Sequence, residues 1–305
     1  MWNTPIQQIE KNLYVKREDL IPYSFGGNKA RKAFYFFHMI DSGDYNCVVT
    51  YGSSSSNHCR VIANMAAARN LLCYIIGPEE ASEETFNSRM MKMFGAKIHI
   101  VPVDMVHDTI EKKMHALKES GERPYFIPGG GHGNLGTQAY VDCYQEILSY
   151  EKKHRIKFDY IFFASGTGTT QAGLVCGELM YGNGKKIVGI SIARKGSRGR
   201  QIVVNSVYEY LREKNYSCAP QLIDEKICFI DEYIEGGYGK KNLNVENTIK
   251  RMLVHYGIPM DSTYTGKAYA GMTDYLHKNG IQDKNILFIH TGGTPLFFDD
   301  MYSMV

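Results

Sequence analysis

Lys29 is the side chain of this 305-residue chain best placed to act as a nucleophile. It lies in Phe25-Gly26-Gly27-Asn28-Lys29-Ala30-Arg31-Lys32, just ahead of a segment with helical spacing. Asn28 suits the N-cap, which puts Lys29 at the first helical position. There its charge faces the positive end of the helix dipole, and Arg31 and Lys32 add like charge. Both effects favour the neutral amine, the form that attacks an aldehyde. The plain alternative is a solvated lysine at a helix start.

Further turns carry groups that bind anions. Gly52-Ser53-Ser54-Ser55-Ser56-Asn57-His58 offers hydroxyls, an amide and backbone N–H groups at a helix start, a set that holds a carboxylate. It also reads as a capping loop with surplus serines. Ala164-Ser165-Gly166-Thr167-Gly168-Thr169-Thr170 follows an apolar strand and precedes a helix. Its glycines allow close backbone approach and its hydroxyls donate, as in a phosphate cradle. Gln171 stands where G-x-G-x-x-G needs its last glycine, so a dinucleotide is disfavoured. Pro128-Gly129-Gly130-Gly131-His132-Gly133-Asn134 is a flexible turn able to line a pocket, with His132 read as an ordinary loop residue. Tyr238 and Tyr264, each next to glycines or hydroxyls, are candidates for moving a proton among 22 tyrosines.

These turns need elements to hold them. Short apolar runs at 47–50, 72–76, 98–101, 160–164, 187–191, 227–230 and 286–290 read as strands. Helical spacing lies between them, near 33–40, 58–69, 82–94, 104–119, 135–152, 170–180, 198–214, 244–256 and 266–279. Such alternation predicts an α/β fold with parallel-rich sheets flanked by helices, and ligands at the carboxyl ends of strands. The expected division is a large cofactor-binding domain over 1–44 plus 151–305, with a small domain over 45–150 inserted.

Composition narrows the function. Lys plus Arg number 35 against 32 Asp plus Glu, and no block of like charge appears, so nucleic acid is not an expected partner. None of the seven cysteines forms a C-x-x-C pair, so no metal site is expected. They read as reduced core thiols of a cytoplasmic protein. Met1-Trp2-Asn3-Thr4-Pro5 lacks the features of a signal peptide, and no apolar run spans a bilayer, so no membrane role is expected.

Taken together, the segments resemble one family. Lys16-Arg17-Glu18-Asp19-Leu20, Gly26-Gly27-Asn28-Lys29, Ser56-Asn57-His58, Pro128-Gly129-Gly130, Ser165-Gly166-Thr167-Gly168-Thr169-Thr170, Tyr264-Thr265-Gly266-Lys267 and His290-Thr291-Gly292-Gly293 are collinear with it. The chain resembles the D-cysteine desulfhydrase and 1-aminocyclopropane-1-carboxylate (ACC) deaminase group of pyridoxal 5′-phosphate (PLP) enzymes, within the tryptophan synthase β-subunit fold. The resemblance implies a two-domain homodimer that acts on a small amino acid by α,β-elimination. It makes Lys29 the lysine that carries the cofactor. It assigns Ser56, Asn57 and His58 to the substrate carboxylate and the cofactor's phenolic oxygen, and Gly166, Thr167, Gly168, Thr169 and Thr170 to the phosphate. Thr265 takes the position facing the pyridine nitrogen, where a hydroxyl leaves that nitrogen unprotonated. Tyr238 and Tyr264 match the pair that shapes the substrate pocket. Thr rather than Glu at 265 favours the desulfhydrase branch over ACC deaminase. β-Replacement, racemisation and a non-catalytic PLP or amino-acid sensor are the other readings.

The chain departs from the pattern around the implied pocket. Ser55 replaces Gln, the 128–134 loop is longer, Gly236 replaces Trp, and Lys240-Lys241 follow Tyr238-Gly239. More room and nearby lysines suit a longer or acidic side chain, so a substrate other than D-cysteine is expected.

Overall fold

The structure, a computed structural model, describes residues 2–234 and 242–301. Two sheets organise them. The first has six strands in the order β1 (Ile6–Glu10), β2 (Leu13–Arg17), β10 (Ile286–His290), β7 (Tyr160–Ser165), β8 (Lys186–Ser191) and β9 (Ile227–Ile230). Only the β1–β2 pair is antiparallel. The second has four parallel strands, β5 (Lys97–Val101), β4 (Leu72–Pro78), β3 (Cys47–Tyr51) and β6 (Pro124–Phe126). Strands β3, β7, β8 and β10 are almost wholly buried, as expected for apolar runs with both faces covered. The seven expected strands are all present, and β1, β2 and β6 add to them. This is the α/β architecture with parallel-rich sheets that the sequence predicts.

Helices cover the sheets: α1 (Asn28–Ser42), α2 (Asn57–Ala67), α3 (Phe86–Met93), α4 (Val106–Glu119), α5 (Asn134–His154), α6 (Thr169–Tyr181), α7 (Gly196–Glu213), α8 (Pro220–Lys226), α9 (Leu243–Tyr256), α10 (Thr265–Lys278) and α11 (Thr294–Met301). Helix α1, in the segment expected with the larger unit, buries Ala30, Phe36, Phe37 and Ile40 in the core around β3 and β4. Helix α5, in the segment expected with the smaller unit, buries Tyr140, Tyr144 and Ile147 against the six-stranded sheet. The two helices pack on each other across the seam, because each carries apolar side chains on more than one face.

A buried charge network fixes this seam. Arg31 of α1 donates from Nε to Glu18 Oε2 at 2.5 Å and from Nη1 to Glu146 Oε1 at 2.7 Å. Lys16 of β2 reaches Glu146 at 2.9 Å. Burial pushes the Glu18 carboxyl up, but Arg31, Lys16 and the hydrogen bonds from Arg31 and Thr4 outweigh it and bring it to about 2. Among the described residues no helix is long and apolar enough to cross a membrane.

Candidate active site

Lys29 enters the site on a backbone that only glycine tolerates. Gly27, at φ +93°, is the N-cap of α1, and the helix begins at Asn28 rather than at Lys29. The expected Asn28 cap is therefore displaced by one residue. Asn28 Nδ2 instead donates to Thr170 Oγ1 at 3.1 Å, and its backbone N–H donates to the Thr291 carbonyl at 2.9 Å. A Cβ on Gly27 would lie 2.7 Å from that carbonyl, and one on Gly292 would lie 2.7 Å from Gly27 Cα. The two loops interlock because neither carries a side chain.

The Lys29 amine donates to the Gly130 carbonyl at 3.2 Å. Burial, with the Arg194 charge, lowers its pKa to about 8. The amine is accordingly available in neutral form near physiological pH, as the sequence reading expected, but burial rather than the helix dipole is the larger cause.

The 166–170 loop leaves the carboxyl end of β7 and turns into α6 at Gly168, which caps that helix at φ +88°. The first N–H groups of α6 lack intrahelical partners and sit at the positive end of its dipole. His132 Nδ1 and Thr169 Oγ1 meet at 2.9 Å, so the 128–134 loop braces this turn. Lys32, one turn past Lys29, is fully buried, and its amine has no hydrogen-bond partner. Burial and the Lys29 charge hold its pKa well below the lysine range, and burial first, with these lysines adding to it, lowers His58 and His132.

Opposite, α2 presents a second helix N-terminus to the cavity. Ser56 caps it, accepting from the Cys59 N–H at 3.1 Å, and keeps its hydroxyl proton to donate. Asn57 Oδ1 accepts from Arg60 Nη1 at 2.7 Å and from Asn87 Nδ2 at 3.0 Å, so its own amide N–H groups are left to serve the cavity. Arg60 is wholly buried with Nε and Nη2 unpartnered, and burial brings its pKa down to about 9. His58 faces Thr50 Oγ1 at 2.8 Å, and that hydroxyl donates to the Ile127 carbonyl at 2.7 Å. Thr50 can then only accept, so His58 donates from Nε2 and its Nδ1 is a lone pair. Burial keeps the ring neutral. Any donation from this position to a carboxylate comes from the backbone N–H, not from the imidazole.

Two connected spaces result. A narrow one is lined by Asn28, Lys29, Asn57, the 164–168 turn, Thr170, Tyr264 and the Thr291-Gly292 pair. A wider one shares Lys29, Asn57, Gly166, Thr167 and Tyr264 and adds Ser56, His58, Gly130, Tyr51 and Arg194. Thr265 is not in either wall. It is fully buried, donates from Oγ1 to Asp261 Oδ2 at 2.8 Å and accepts from the Asp261 N–H at 3.1 Å. Burial and the Asp300 charge raise Asp261 to about 7. Tyr238, Gly236 and Lys240-Lys241 lie outside the described residues.

A family model described as "Pyridoxal-phosphate dependent enzyme" matches residues 1–292. The chain belongs to the pyridoxal-phosphate dependent enzymes. This enzyme is 32% identical to a Pyrococcus abyssi protein provisionally named 1-aminocyclopropane-1-carboxylate deaminase, over 97% of this chain and 91% of that one. It is 30% identical to the D-cysteine desulfhydrase of Yersinia enterocolitica, over 97% and 92% of the two chains. A crystal structure of an ACC deaminase homologue superposes with a TM-score of 0.88 at 29% identity, covering 100% of this chain and 94% of that one. The enzyme's own residues fit the cofactor. A glycine-capped helix start and a Lys29 amine with a lowered pKa line one narrow space, as a phosphorylated aldehyde needs, and the buried Lys32 amine, without a hydrogen-bond partner among the described residues, lies one turn beyond Lys29.

Sequence reasoning missed Lys32, Arg60, Asp261, Arg194 and Tyr51, and it undervalued His132. Arg194 had a readable signal, since it stands three residues past a buried parallel strand at the edge where ligands bind. Arg60 had none, because nothing in a helix sequence marks a guanidinium that will be buried without a carboxylate.

Proposed function

We propose that the enzyme catalyses α,β-elimination on a small amino acid, giving a 2-oxo acid, ammonia and the leaving group. The observation that carries this reading is the Lys29 amine, at a pKa of about 8, standing in both spaces between the α6 and α2 N-termini. Lys29, Gly166, Thr167, Gly168, Thr169, Thr170, Asn57 and Lys32 would hold the cofactor, with Thr265 positioned from behind by Asp261. When bound, the cofactor supplies an aldehyde for the amines and a ring that accepts the electron pair from Cα.

The chain's own groups do the rest. The substrate carboxylate lies on the Ser56 hydroxyl and the Asn57 and His58 N–H groups at the start of α2. That grip orients Cα toward Lys29, which is neutral enough to remove the α-proton and, once protonated, to return it to the departing group. Tyr264 closes the wall beside it, and Tyr238 is assigned to the same pocket on resemblance. The Cα–H electron pair becomes the Cα–Cβ double bond, and the β-substituent leaves with its own bonding pair. Water then hydrolyses the freed aminoacrylate to 2-oxo acid and ammonia.

A cytoplasmic homodimer and a small amino-acid substrate complete the proposal, supported by the family resemblance. Visible spectra of wild type and Lys29→Ala with added PLP, followed by titration with D-cysteine, test it. A lysine-dependent band, perturbed by D-cysteine with release of pyruvate and sulfide, is expected. Consumption of a second nucleophile without 2-oxo acid would instead indicate replacement chemistry.

A further inference from the structure

The wider cavity contains a cation that the elimination reading does not use. Arg194 leaves the carboxyl end of β8, half-buried, and faces Lys29 across the space. Its backbone is pinned, since Ser191 Oγ both donates to its carbonyl at 2.7 Å and accepts from its N–H at 3.1 Å. Its guanidinium has no such anchor. Among the described residues no carboxylate reaches it, and its charged neighbours are the cations Lys29 and Arg198. Burial and Arg198 both work against its charge, and the Tyr51 phenol is the one group nearby that favours it. Next to it the wall is apolar, formed by Ile192 and Ala193.

A guanidinium set among cations, with no anion of its own, is costly unless a ligand supplies the anion. The cofactor phosphate does not account for it. Arg194 lines the wider space and not the narrow one that contains the 164–168 turn and Thr170. On the proposed function the substrate carboxylate would be held at the start of α2, by Ser56, Asn57 and His58, which line the same space as Arg194. What remains for Arg194 is the far end of the substrate side chain.

We propose that Arg194 is a specificity-determining residue that pairs with an anionic group on the substrate side chain, so that the substrate class is amino acids ending in a carboxylate, sulfonate or phosphate. This rests on the elimination reading above. A planar fork at the cavity wall suits a bidentate oxyanion, and it leaves a small neutral side chain without a partner.

The test uses the holoenzyme with both enantiomers of O-phosphoserine and of β-chloroalanine, which differ at the β-substituent in charge. The wild type is expected to favour one phosphoserine enantiomer in kcat/KM by about tenfold or more over the matching chloro compound. Arg194→Ala should bring that ratio toward one, chiefly through KM, and Arg194→Lys should restore part of it. Equal rates on both compounds in wild type, or a ratio that Arg194→Ala leaves unchanged, overturn the proposal. So does a parallel loss of PLP affinity in Arg194→Ala, which would assign the residue to the cofactor. If no compound is eliminated, but O-phosphoserine still perturbs the cofactor spectrum in an Arg194-dependent way, the elimination reading fails and the assignment of Arg194 stands.

Discussion

Asn28 Nδ2 donates to Thr170 Oγ1 across 3.1 Å, and this bond ties the helix that carries Lys29 to the helix that follows the 166–170 loop. The proposed nucleophile and the proposed phosphate cradle are thus joined by a side-chain contact between residues 142 positions apart. Asn28→Ala, Thr170→Val and the double variant should show a coupling of about 0.5–1.5 kcal/mol in PLP binding. Titration of the apoprotein with PLP, read at the visible band, measures it. Strictly additive losses would mean that the two helices are registered elsewhere.

Lys29 should govern how fast the apoprotein captures its cofactor. Its folded pKa of about 8 lies below the ordinary 10.5 because of burial and the Arg194 charge. Capture should therefore climb about tenfold per pH unit on the acid side and flatten above about pH 8. Across the window from about 8 to 10.5 the unfolded chain holds a proton that the folded one lacks, so this lysine's contribution to stability rises with pH there. Arg194→Ala should move the inflection upward. Stopped-flow absorbance over a pH series reads both.

Lys32 makes opposite demands on the empty and loaded protein. Its buried amine has no hydrogen-bond partner among the described residues and only the Tyr140 ring face 5.8 Å away, so Lys32→Met should raise the melting temperature of the apoprotein. The same change should weaken PLP binding by about tenfold or more, because a charge-assisted bond to the phosphate is lost. Calorimetry of the apo form and a PLP titration give the two signs. A variant that loses apo stability and keeps its PLP affinity would contradict this role.

Glu18 anchors the seam. Its carboxyl is buried against Arg31 and Lys16, and Glu18→Gln leaves those cations short of an anion. A loss of about 3–5 kcal/mol at neutral pH follows. The sign with pH is fixed by its lowered pKa. The contribution is present above the ordinary 4.5 and is lost as pH falls toward about 2. Urea unfolding of wild type and variant should accordingly differ most above about pH 4.5 and converge only as pH falls toward about 2.

Much of the scaffold was legible because parallel strands buried on both faces announce themselves as apolar runs, as Tyr160–Ser165 and Ile286–His290 do. Strand β1 was missed because the exposed Gln7, Gln8 and Glu10 interrupt both an apolar run and a clean alternation, and β6 because three residues carry too little pattern. The loops at 52–58 and 164–170 were expected from their composition to line a site, and the structure brings residues of both to one cavity. Thr265 was placed by resemblance at the pyridine nitrogen, free to leave it unprotonated. Its hydroxyl proton is instead engaged by Asp261, and with a second bond from the Asp261 N–H it keeps only a lone pair. No local rule links a threonine's proton to an aspartate four residues earlier when both lie at a helix start. Lys32 and Arg60 escaped for a related reason. A cation in an amphipathic helix is ordinarily solvated, and only tertiary packing decides that it is not.

The clasp of Gly27 on Gly292 has a consequence for synthesis. Strand β10 also lies between β2 and β7, so the central sheet is split in two until residues 286–290 are available. A ribosome that has made nine-tenths of the chain has therefore made Lys29 but no place to use it. On the proposed role of Lys29, capture of PLP by the nascent chain is expected to wait until Gly292 has emerged from the exit tunnel to pack on Gly27.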